Sequence, residues 1–483
     1  MDGEGRPLLP PLRLAGAESA DGRMMARTPR GGSRRRRAGL RRWSLIAVLA
    51  ACATIGALIA PAGVRASTAA QLQRLARLDA AQIEAVVRAD PARLLELANA
   101  NPEETAREWP RVPKGERAQL ERLLPGFVGN FDGVPYATRD RANKQVLQQR
   151  LASAQAAVVS RPSDTGNVLA LAAYKAIRAA VTVKSHPARH LVEFVPGARP
   201  TAAIAIGNLD TASMITWVIP GMGTYTTDMQ LWTLAAQNVW AAQRDAGAPA
   251  DHAVIAWMGY VVPPVGIDAA LGEYAARGAP LLTEAIRGVR AVRADRLPVL
   301  NVVAHSYGTT MAADALADSP LGIGTMVLLG SAGIEETIRD AAVLHADAVY
   351  AGEATADEEA ALGRFSRVDP RNPSFGARVL AVDGDAAAGL SAVTGHAPIL
   401  HSSYNDDIAT PVWTVIASVK AREAAYREHL AEHGYLDRGT QSLQQVGIVT
   451  AGTRPTPGGP SGPSGTALLP ELLSGAASRT GPG

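Results

Sequence analysis

The sequence predicts an α/β fold with a mostly parallel sheet flanked by helices, preceded by a helical N-terminal segment. From residue 186 onward, short apolar runs rich in β-branched residues alternate with stretches of helical pattern, which favours a parallel sheet. One run, Val299–Val303, leads through the turn A-H-S-Y-G into a small-residue helical stretch, Thr309–Ala317. With 47% hydrophobic and 19% charged residues, the chain of 483 residues can bury a large core.

Ser306 lies in that turn, between a buried strand and a helix. The pattern small-x-Ser-x-Gly, with Ala304 and Gly308 in the small positions, is typical of a nucleophile elbow. Bulky side chains at those positions would collide with the strand or the helix as the chain reverses. A serine held in such a strained turn projects its hydroxyl beside backbone N–H groups at a helix N-terminus. The alternative interpretation is a serine that only caps the helix.

The net charge of +3 is unevenly distributed along the chain. Residues 1–66 hold 12 of the 48 basic residues and 4 of the 45 acidic ones, so the rest of the chain has 36 basic and 41 acidic residues. The basic excess therefore belongs to the N-terminal tail, and nothing in the remainder indicates nucleic acid binding. The single cysteine, Cys52, excludes a disulfide framework within the chain and a cysteine-based metal site.

The N-terminus has two parts. Residues 1–42 are rich in Arg, Gly and Pro without periodicity and are expected to form a disordered basic tail on the cytoplasmic side. Residues 43–66 follow as a membrane anchor or signal segment, because Trp43–Val64 has no charged residue and is long enough to span a bilayer. The arginine cluster before it agrees with the positive-inside rule and predicts that the domain that follows lies outside the cytoplasm.

Three interpretations of the apolar segment Trp43–Val64 remain open. The first is an uncleaved anchor, and the second is a cleaved signal that ends near Ala62 or Ala66, with Arg41–Arg42 resembling a twin-arginine pair. The third is a lipoprotein signal, because L-A-A-C at Leu49–Cys52 resembles a lipobox. The chain stays apolar after Cys52, which argues against the third.

Residues 67–185 have helical patterns. Asp79 is a predicted N-cap, and Ala137–Val159 supplies a longer helix after the Gly-punctuated turn G-N-F-D-G-V-P. No spacing in this segment indicates catalysis. We interpret it as a platform packed on the next domain, with a cap over the substrate as the alternative.

Residues 186–433 are predicted to form the α/β catalytic domain, and residues 434–483 a disordered Gly/Pro/Ser-rich tail. Pro411–Ala425 is the last predicted helix. The predicted strands are His190–Val195, Thr201–Ile206, Met214–Ile219, Ala253–Trp257, Val299–Val303, Thr325–Leu329, Ala346–Ala351 and Ala377–Val382.

The Gly-rich turn after the third predicted strand, Gly221–Thr226, imitates a dinucleotide-binding fingerprint. Its third glycine is missing and no acidic residue follows the next strand to hold a ribose, so no nicotinamide cofactor is expected. The turn is better suited to an oxyanion hole, in which the backbone N–H groups of Met222 and Tyr307 point at the developing negative charge.

A serine hydroxyl is a poor nucleophile near neutral pH and needs a histidine base oriented by an acid. In a fold of this kind the acid follows a strand after the elbow. Asp357, in the turn after Ala346–Ala351, is the preferred candidate, and the alternatives are Glu353, Asp383 and Asp385.

The base must follow the last strand, which leaves His396 and His401. His305 flanks the elbow and is expected to point away from Ser306, and His345 precedes a strand. We expect His401 to be the base, because it lies nearer the predicted last helix and its S-S-Y sequel offers hydroxyls to hold the loop. His396 follows Thr394-Gly395, a flexible point that would position an imidazole poorly.

The motifs V-I-P-G-M-G-T, W-M-G-Y, A-H-S-Y-G, P-S-F-G-A-R-V and H-S-S-Y, in this order and preceded by G-N-F-D-G-V-P-Y-A-T-R-D-R-A-N, resemble a bacterial group of α/β-hydrolases known mainly as a domain of unknown function. The resemblance covers about residues 101–421. It implies an α/β-hydrolase fold and serine-hydrolase chemistry. Its acid motif falls on Asp357, and its G-H-S-x-Y motif matches His401 except for the preceding glycine, since Gly395-His396 occurs five residues earlier.

The functional expectation is an exported or membrane-anchored serine hydrolase that cleaves an ester or related acyl bond through an acyl-enzyme. The expected triad is Ser306, Asp357 and His401, with Met222 and Tyr307 as the oxyanion hole, and no cofactor or metal is expected. The expected substrate is a small acyl ester or a lipid-like molecule. The competing hypothesis is a non-catalytic α/β-hydrolase-fold module for binding or envelope architecture.

Overall fold

A large sheet of eight strands forms the centre of the molecule. The computed structural model describes residues 67–89, 101–364, 367–401 and 431–452. The strands in this part of the chain are β1 (Arg189–Val195), β2 (Thr201–Ile206), β3 (Met214–Ile219), β4 (Ala253–Met258), β5 (Val299–His305), β6 (Ile323–Leu329), β7 (Ile334–Glu335), β8 (Ala346–Gly352), β9 (Arg367–Val368) and β10 (Arg378–Val379).

The large sheet has the order β1-β2-β4-β3-β5-β6-β8-β10. Its strands pair in parallel from β4 to β10, while β2 is antiparallel to both of its neighbours. The separate pair β7 and β9 is antiparallel. The predicted mostly parallel α/β sheet is therefore confirmed, and the predicted last strand is shorter than expected, since only Arg378–Val379 pairs with β8.

The central strands are buried along their whole length because helices cover both faces of the sheet. Alternate residues of β3 divide between the two faces, with Trp217 in one apolar cluster and Val218 in the other. This explains why these strands appear in the sequence as continuous apolar runs without polar alternation.

Five helices of the described residues belong to the domain that contains the sheet. They are α8 (Met229–Asp245), α9 (Glu273–Val292), α10 (Tyr307–Asp318), α11 (Glu358–Gly363) and α12 (Gln441–Thr450). Short 3-10 helices lie at Thr226–Asp228, Ile267–Leu271, Ala341–Leu344 and Ala386–Ala388.

The described residues before β1 are helical, as the sequence predicts for residues 67–185. The helices are α1 (Thr68–Ala76), α2 (Ala80–Ala89), α3 (Pro102–Glu108), α4 (Lys114–Leu123), α5 (Pro125–Val128), α6 (Tyr136–Ser160) and α7 (Thr165–Thr182), with a 3-10 turn at Trp109–Arg111. Trp109, Leu120 and Phe131 belong to an apolar core of their own.

The G-N-F-D-G-V-P turn joins this helical segment to the sheet. The Asn130 side chain accepts a hydrogen bond from the Phe194 N–H at 2.9 Å and donates one to the Phe194 carbonyl at 2.9 Å, so it pairs with β1 as another strand would. Asn143 of α6 donates to the carbonyl of Leu191 at 3.1 Å. The turn therefore has a structural role in docking the helical platform.

The prediction of a disordered tail from residue 434 is wrong for residues 434–452. Helix α12 packs so closely on α8 that a methyl group on Gly447 would lie 2.5 Å from the Ala242 carbonyl oxygen. Its last residue, Thr450, accepts a hydrogen bond from Gln243 at 2.9 Å, and its carbonyl accepts one from Asn301 at 3.1 Å. The physical reason is an apolar helical face, Leu443, Val446 and Val449, that is buried against the sheet domain.

Several sequence predictions lie outside the described residues. These are the basic tail, the apolar segment Trp43–Val64, the helix Pro411–Ala425 and residues 453–483. Among the helices that the structure describes, none is both long and apolar enough to cross a bilayer.

Candidate active site

Ser306 occupies a sharp turn between β5 and α10. Its backbone angles are φ 56° and ψ −131°, a conformation that costs a residue with a side chain about 1–3 kcal/mol. Position 308 requires a glycine, because a methyl group on Gly308 would lie 2.5 Å from the carbonyl oxygen of Pro220. The strained turn that the sequence predicts is therefore present, and the serine is only 5% exposed.

The Gly-rich loop after β3 lies directly against the serine. A methyl group on Gly221 would lie 2.5 Å from Ser306 Cβ and 3.0 Å from its Oγ, so only glycine fits there. Two contacts hold the loop: the Tyr260 hydroxyl donates to the Pro220 carbonyl at 2.7 Å, and the Gly223 N–H donates to the Pro263 carbonyl at 3.0 Å. The hydrogen bond to Pro220 gives the tyrosine of the W-M-G-Y motif its structural role.

Met222 and Tyr307 lie where the sequence predicts them. Met222 follows the glycine that contacts the serine, and Tyr307 is the first residue of α10, next to Ser306. The tyrosine side chain points away into the core, where its hydroxyl accepts a hydrogen bond from the Ala275 N–H at 2.9 Å. The N-terminus of α10 favours negative charge at this position through the helix dipole.

His396 links the serine to an acid. Its Nε2 lies 2.7 Å from Ser306 Oγ, and its Nδ1 lies 2.8 Å and 3.0 Å from the two carboxylate oxygens of Asp357. Because a carboxylate only accepts hydrogen bonds, Nδ1 carries the proton in the neutral ring and Nε2 is free to accept from the serine hydroxyl. The three side chains form one continuous hydrogen-bonded chain, the arrangement of a nucleophile, a base and an orienting acid.

The prediction that His401 lies beside Ser306 is wrong, because the histidine in that position is His396. His401 contacts the carbonyl of Glu432 through Nε2, and its ring lies 5.1 Å from that of His433. The expectation failed because it assumed that Thr394-Gly395 leaves His396 loosely held. The loop is instead fixed by a segment that had been assigned to the disordered tail.

This segment, residues 433–437, is called the clamp here. Its backbone pairs with the loop that carries His396: the Thr394 N–H donates to the His433 carbonyl at 3.0 Å, and the Tyr435 N–H donates to the Ala397 carbonyl at 3.1 Å. The Leu436 N–H donates to the Pro398 carbonyl at 2.7 Å. The clamp therefore borders His396 on both sides.

Asp437 completes the clamp with a buried carboxylate. Its oxygens accept hydrogen bonds from the N–H groups of Leu400, His401 and Gly434, at 2.7 to 3.1 Å. Burial raises the pKa of Asp437, while these backbone bonds act to lower it. With His401 and His433 it also forms a group whose spacing would suit a cation, but both carboxylate oxygens are already engaged by the backbone. We therefore assign Asp437 to the clamp.

Tyr435 reaches from the clamp to the acid. Its hydroxyl donates to Asp357 Oδ2 at 2.7 Å and accepts from the Ala354 N–H at 2.9 Å. Asp357 is fully buried and also caps α11, since Oδ1 accepts from the Ala360 N–H at 3.0 Å. Burial acts to raise the pKa of Asp357, but the bonds to His396, Ala360 and Tyr435 outweigh it and hold that pKa below its usual value.

The alternative acids are engaged elsewhere. Glu353 is buried in ion pairs with Arg364 and Arg371. Asp383 accepts hydrogen bonds from the backbone and hydroxyl of Thr355, and Asp385 caps the short helix Ala386–Ala388. Of the four candidates, only Asp357 is hydrogen-bonded to the histidine beside the serine.

The side chain of His305 holds the main chain of His396. Since the carbonyl of His396 can only accept, the hydrogen bond of 2.8 Å between them requires a proton on His305 Nε2. The two rings lie 4.9 Å apart. Burial, together with the neighbouring His396, lowers the pKa of His305 to about 3, so this ring is neutral at physiological pH. Its Nε2 is directed at the His396 carbonyl, and the histidine hydrogen-bonded to Ser306 is His396.

Sequence reasoning missed Tyr435 and the rest of the clamp. Two signals were available: the segment H-G-Y-L-D has the glycine and aspartate of a turn, and Leu443, Val446 and Val449 then recur every third residue. Together they indicate a turn followed by an amphipathic helix.

Residues 196–366 match a family model described as alpha/beta hydrolase. With the eight-stranded sheet and the elbow, this match shows that the domain has the α/β-hydrolase fold, as the sequence motifs suggested.

Curated relatives of this chain include uncharacterized proteins from two strains of Mycobacterium tuberculosis. Each is 29% identical over 291 residues, which cover 54% of this chain and 44% of the relative. The match therefore spans less than half the length of these relatives. Similar solved structures include esterase PE8, with 15% identity, a TM-score of 0.27 and coverage of 46% of this chain and 96% of that one. Another is a lipase in its open form, with 14% identity, a TM-score of 0.20 and coverage of 55% and 73%.

Proposed function

We propose that this protein is a serine hydrolase that cleaves an ester or related acyl bond through an acyl-enzyme. The observation that carries the proposal is the hydrogen-bonded chain from Ser306 Oγ through His396 to Asp357. The match to the alpha/beta hydrolase family model supports hydrolysis as the reaction class.

In the first half of the proposed reaction, His396 Nε2 takes the hydroxyl proton of Ser306 as Oγ attacks the acyl carbon. The carbonyl oxygen becomes an oxyanion, for which the N–H groups of Met222 and Tyr307 are the proposed donors. When the tetrahedral intermediate collapses, the bond to the leaving alcohol breaks and the alcohol takes the proton from His396.

In the second half, His396 takes a proton from water, and the resulting hydroxide attacks the acyl-enzyme. The bond to Ser306 Oγ then breaks, the serine recovers its proton from His396, and the carboxylic acid leaves. Asp357 holds the imidazole in the required tautomer and stabilises the imidazolium in both halves. No cofactor or metal takes part in this sequence.

A fluorophosphonate probe tests the nucleophile directly. We expect covalent labelling of Ser306, found by peptide mass spectrometry, and loss of both labelling and ester hydrolysis in Ser306→Ala. Ser331, a buried hydroxyl that bonds to Thr309, offers the matched control, and Ser331→Ala should still be labelled. Turnover that persists in Ser306→Ala would assign catalysis to another group. A wild-type chain that neither reacts with the probe nor hydrolyses esters would favour a non-catalytic module.

For localisation we propose that Trp43–Val64 attaches the protein to a membrane, with the hydrolase domain outside the cytoplasm. The support is the uncharged 22-residue stretch directly after an arginine cluster. Reporter fusions after Val195 test the orientation: an alkaline phosphatase fusion should be active and a cytoplasmic reporter inactive. The reverse result would contradict the proposal.

A further inference from the structure

Large apolar side chains are exposed in the two segments that follow β3 and β4, at the sheet edge that carries Ser306. Among the described residues, ten large hydrophobic side chains are exposed, and four of them follow β3 or β4 at the sheet edge that carries the serine. These four are Tyr225, Val261, Val265 and Leu271, with exposed fractions of 37%, 38%, 79% and 64%. We call them the apolar rim.

Val265 is joined to the active site through the Gly-rich loop. A methyl group on Gly223 would lie 3.0 Å from Val265 Cγ2, and two residues earlier Gly221 contacts Ser306 itself. The hydrogen bond from the Gly223 N–H to the Pro263 carbonyl holds the two segments together. Val265 therefore packs against the same loop that contacts Ser306.

Leu271 ends a 3-10 helix that is anchored beside the Tyr307 side chain. The guanidinium of Arg367 donates to the Ala269 carbonyl at 2.9 Å and lies 5.5 Å from the ring centre of Tyr307, the residue after the nucleophile. Arg367 is itself fixed by Glu335 at 2.9 Å. The 3-10 helix Ile267–Leu271 thus has a defined position beside the elbow.

The segment between these contacts has no charge. No acidic or basic residue occurs from Trp257 to Ile267, and Tyr260 and Val262 are buried beneath it while Val261 and Val265 face outward. Exposed apolar side chains that adjoin a nucleophile mark a site for an apolar ligand, because water is released when the ligand covers them.

We propose that the apolar rim binds the aliphatic acyl chain of the substrate, so that the enzyme acts on esters of medium-chain or long-chain fatty acids. The inference rests on the proposed function, since the chain is placed by its acyl carbon at Ser306. Each methylene that the rim covers contributes about 0.8 kcal/mol, which is about fourfold in kcat/KM.

The test uses p-nitrophenyl acetate, hexanoate and decanoate below their aggregation concentrations. With the wild-type chain, kcat/KM should rise steeply from acetate to decanoate. The double variant Val265→Ser with Leu271→Ser should lose tenfold or more on decanoate and less than twofold on acetate, about the value of two covered methylenes. The matched control exchanges exposed apolar residues on α6 and α7, Val159→Ser with Leu169→Ser, and should leave both rates unchanged.

The possible results distinguish a failure of the acyl-chain site from a failure of the proposed hydrolase function. Acetate turnover with no rise toward decanoate, or equal losses on both esters in the rim variant, would overturn the inference and leave the hydrolase intact. No turnover of any ester and no fluorophosphonate labelling would overturn the proposed function and the inference with it. A change of oligomeric state in the rim variant, seen by light scattering with unchanged kinetics, would identify a second copy of the chain as the occupant and overturn the acyl site.

Discussion

The proposed nucleophile and the proposed base of this site are held by two different kinds of structure. Ser306 is positioned by its immediate neighbours, the end of β5, the start of α10 and the loop that contacts Gly308. His396 lies on a loop without regular structure and is positioned by the clamp, which follows much later in the chain. The comparison shows that a motif of five residues can place a serine between a strand and a helix, whereas a histidine on an irregular loop is placed by hydrogen bonds to a second segment.

The largest expected effect distinguishes the two histidines. His396→Ala should lower kcat/KM by a factor on the order of 10⁴–10⁶, because the members of a triad act as a unit. His401→Ala should lower it less than tenfold, since the backbone N–H that binds Asp437 is kept. Steady-state hydrolysis of p-nitrophenyl acetate measures both. If His401→Ala were the inactive variant, the arrangement around His396 would not be the working one.

The clamp itself is tested at Asp437. In Asp437→Ala, three backbone N–H groups lose their acceptor, at about 1–3 kcal/mol for each that stays buried, and the loop that carries His396 is released. We expect kcat to fall about 10²-fold, the cost of misplacing a catalytic group by about 1 Å. Asp437→Asn should fall between this variant and the wild type.

Asp385 provides the control for that loss, because its carboxylate also accepts two backbone N–H groups in a loop. Asp385→Ala should change kcat less than threefold. Urea unfolding of each variant separates a displaced base from a globally unfolded chain. A fully active Asp437→Ala variant would show that the clamp is not needed to position His396.

Tyr435→Phe should have a smaller effect that depends on pH. The hydroxyl bond lowers the pKa of Asp357, so its loss should raise that pKa and reduce the ionised fraction on the acid side. The acidic limb of kcat/KM should therefore move to higher pH, with a loss of about tenfold or less at the plateau. A uniform loss with an unshifted profile would make Tyr435 a packing residue only.

The smallest expected effect on rate is at His305, where stability is the better measurement. The pKa of this buried ring is about 3 in the folded protein, against 6.5 for an ordinary histidine. The unfolded chain thus binds a proton more readily, and the free energy of unfolding should decrease as pH falls from 6.5 toward 3. His305→Gln keeps an Nε2 donor for the His396 carbonyl and should flatten this slope in urea titrations. An identical slope in both proteins would refute the assignment.

The surroundings of Ser306 could be predicted from the sequence, and those of His396 could not. The strands, the elbow and the Gly-rich loop could be predicted because each has a pattern among neighbouring residues of the sequence, although the contacts that require Gly221 and Gly308 to be small come from the other segment. Asp357 could be selected because it follows a strand and caps a helix.

The base could not be selected in this way. His396 follows Thr394-Gly395, which looks mobile in isolation, whereas in the structure its loop is held by the pairing with residues 433–437. The clamp also precedes a Gly/Pro/Ser-rich stretch, so its own turn and helix were grouped with that composition. Contacts between two segments without regular structure have no periodic signal in a single sequence.

The clamp is also one of the last of the described segments to be synthesised. A ribosome releases Ser306 and most of the sheet well before it reaches Tyr435 and Asp437. Until then a nascent chain has its nucleophile but no fixed partner for it. A chain truncated before Asp437 would therefore keep the strand and the helix that hold Ser306 and lose the backbone pairing that holds the loop of His396.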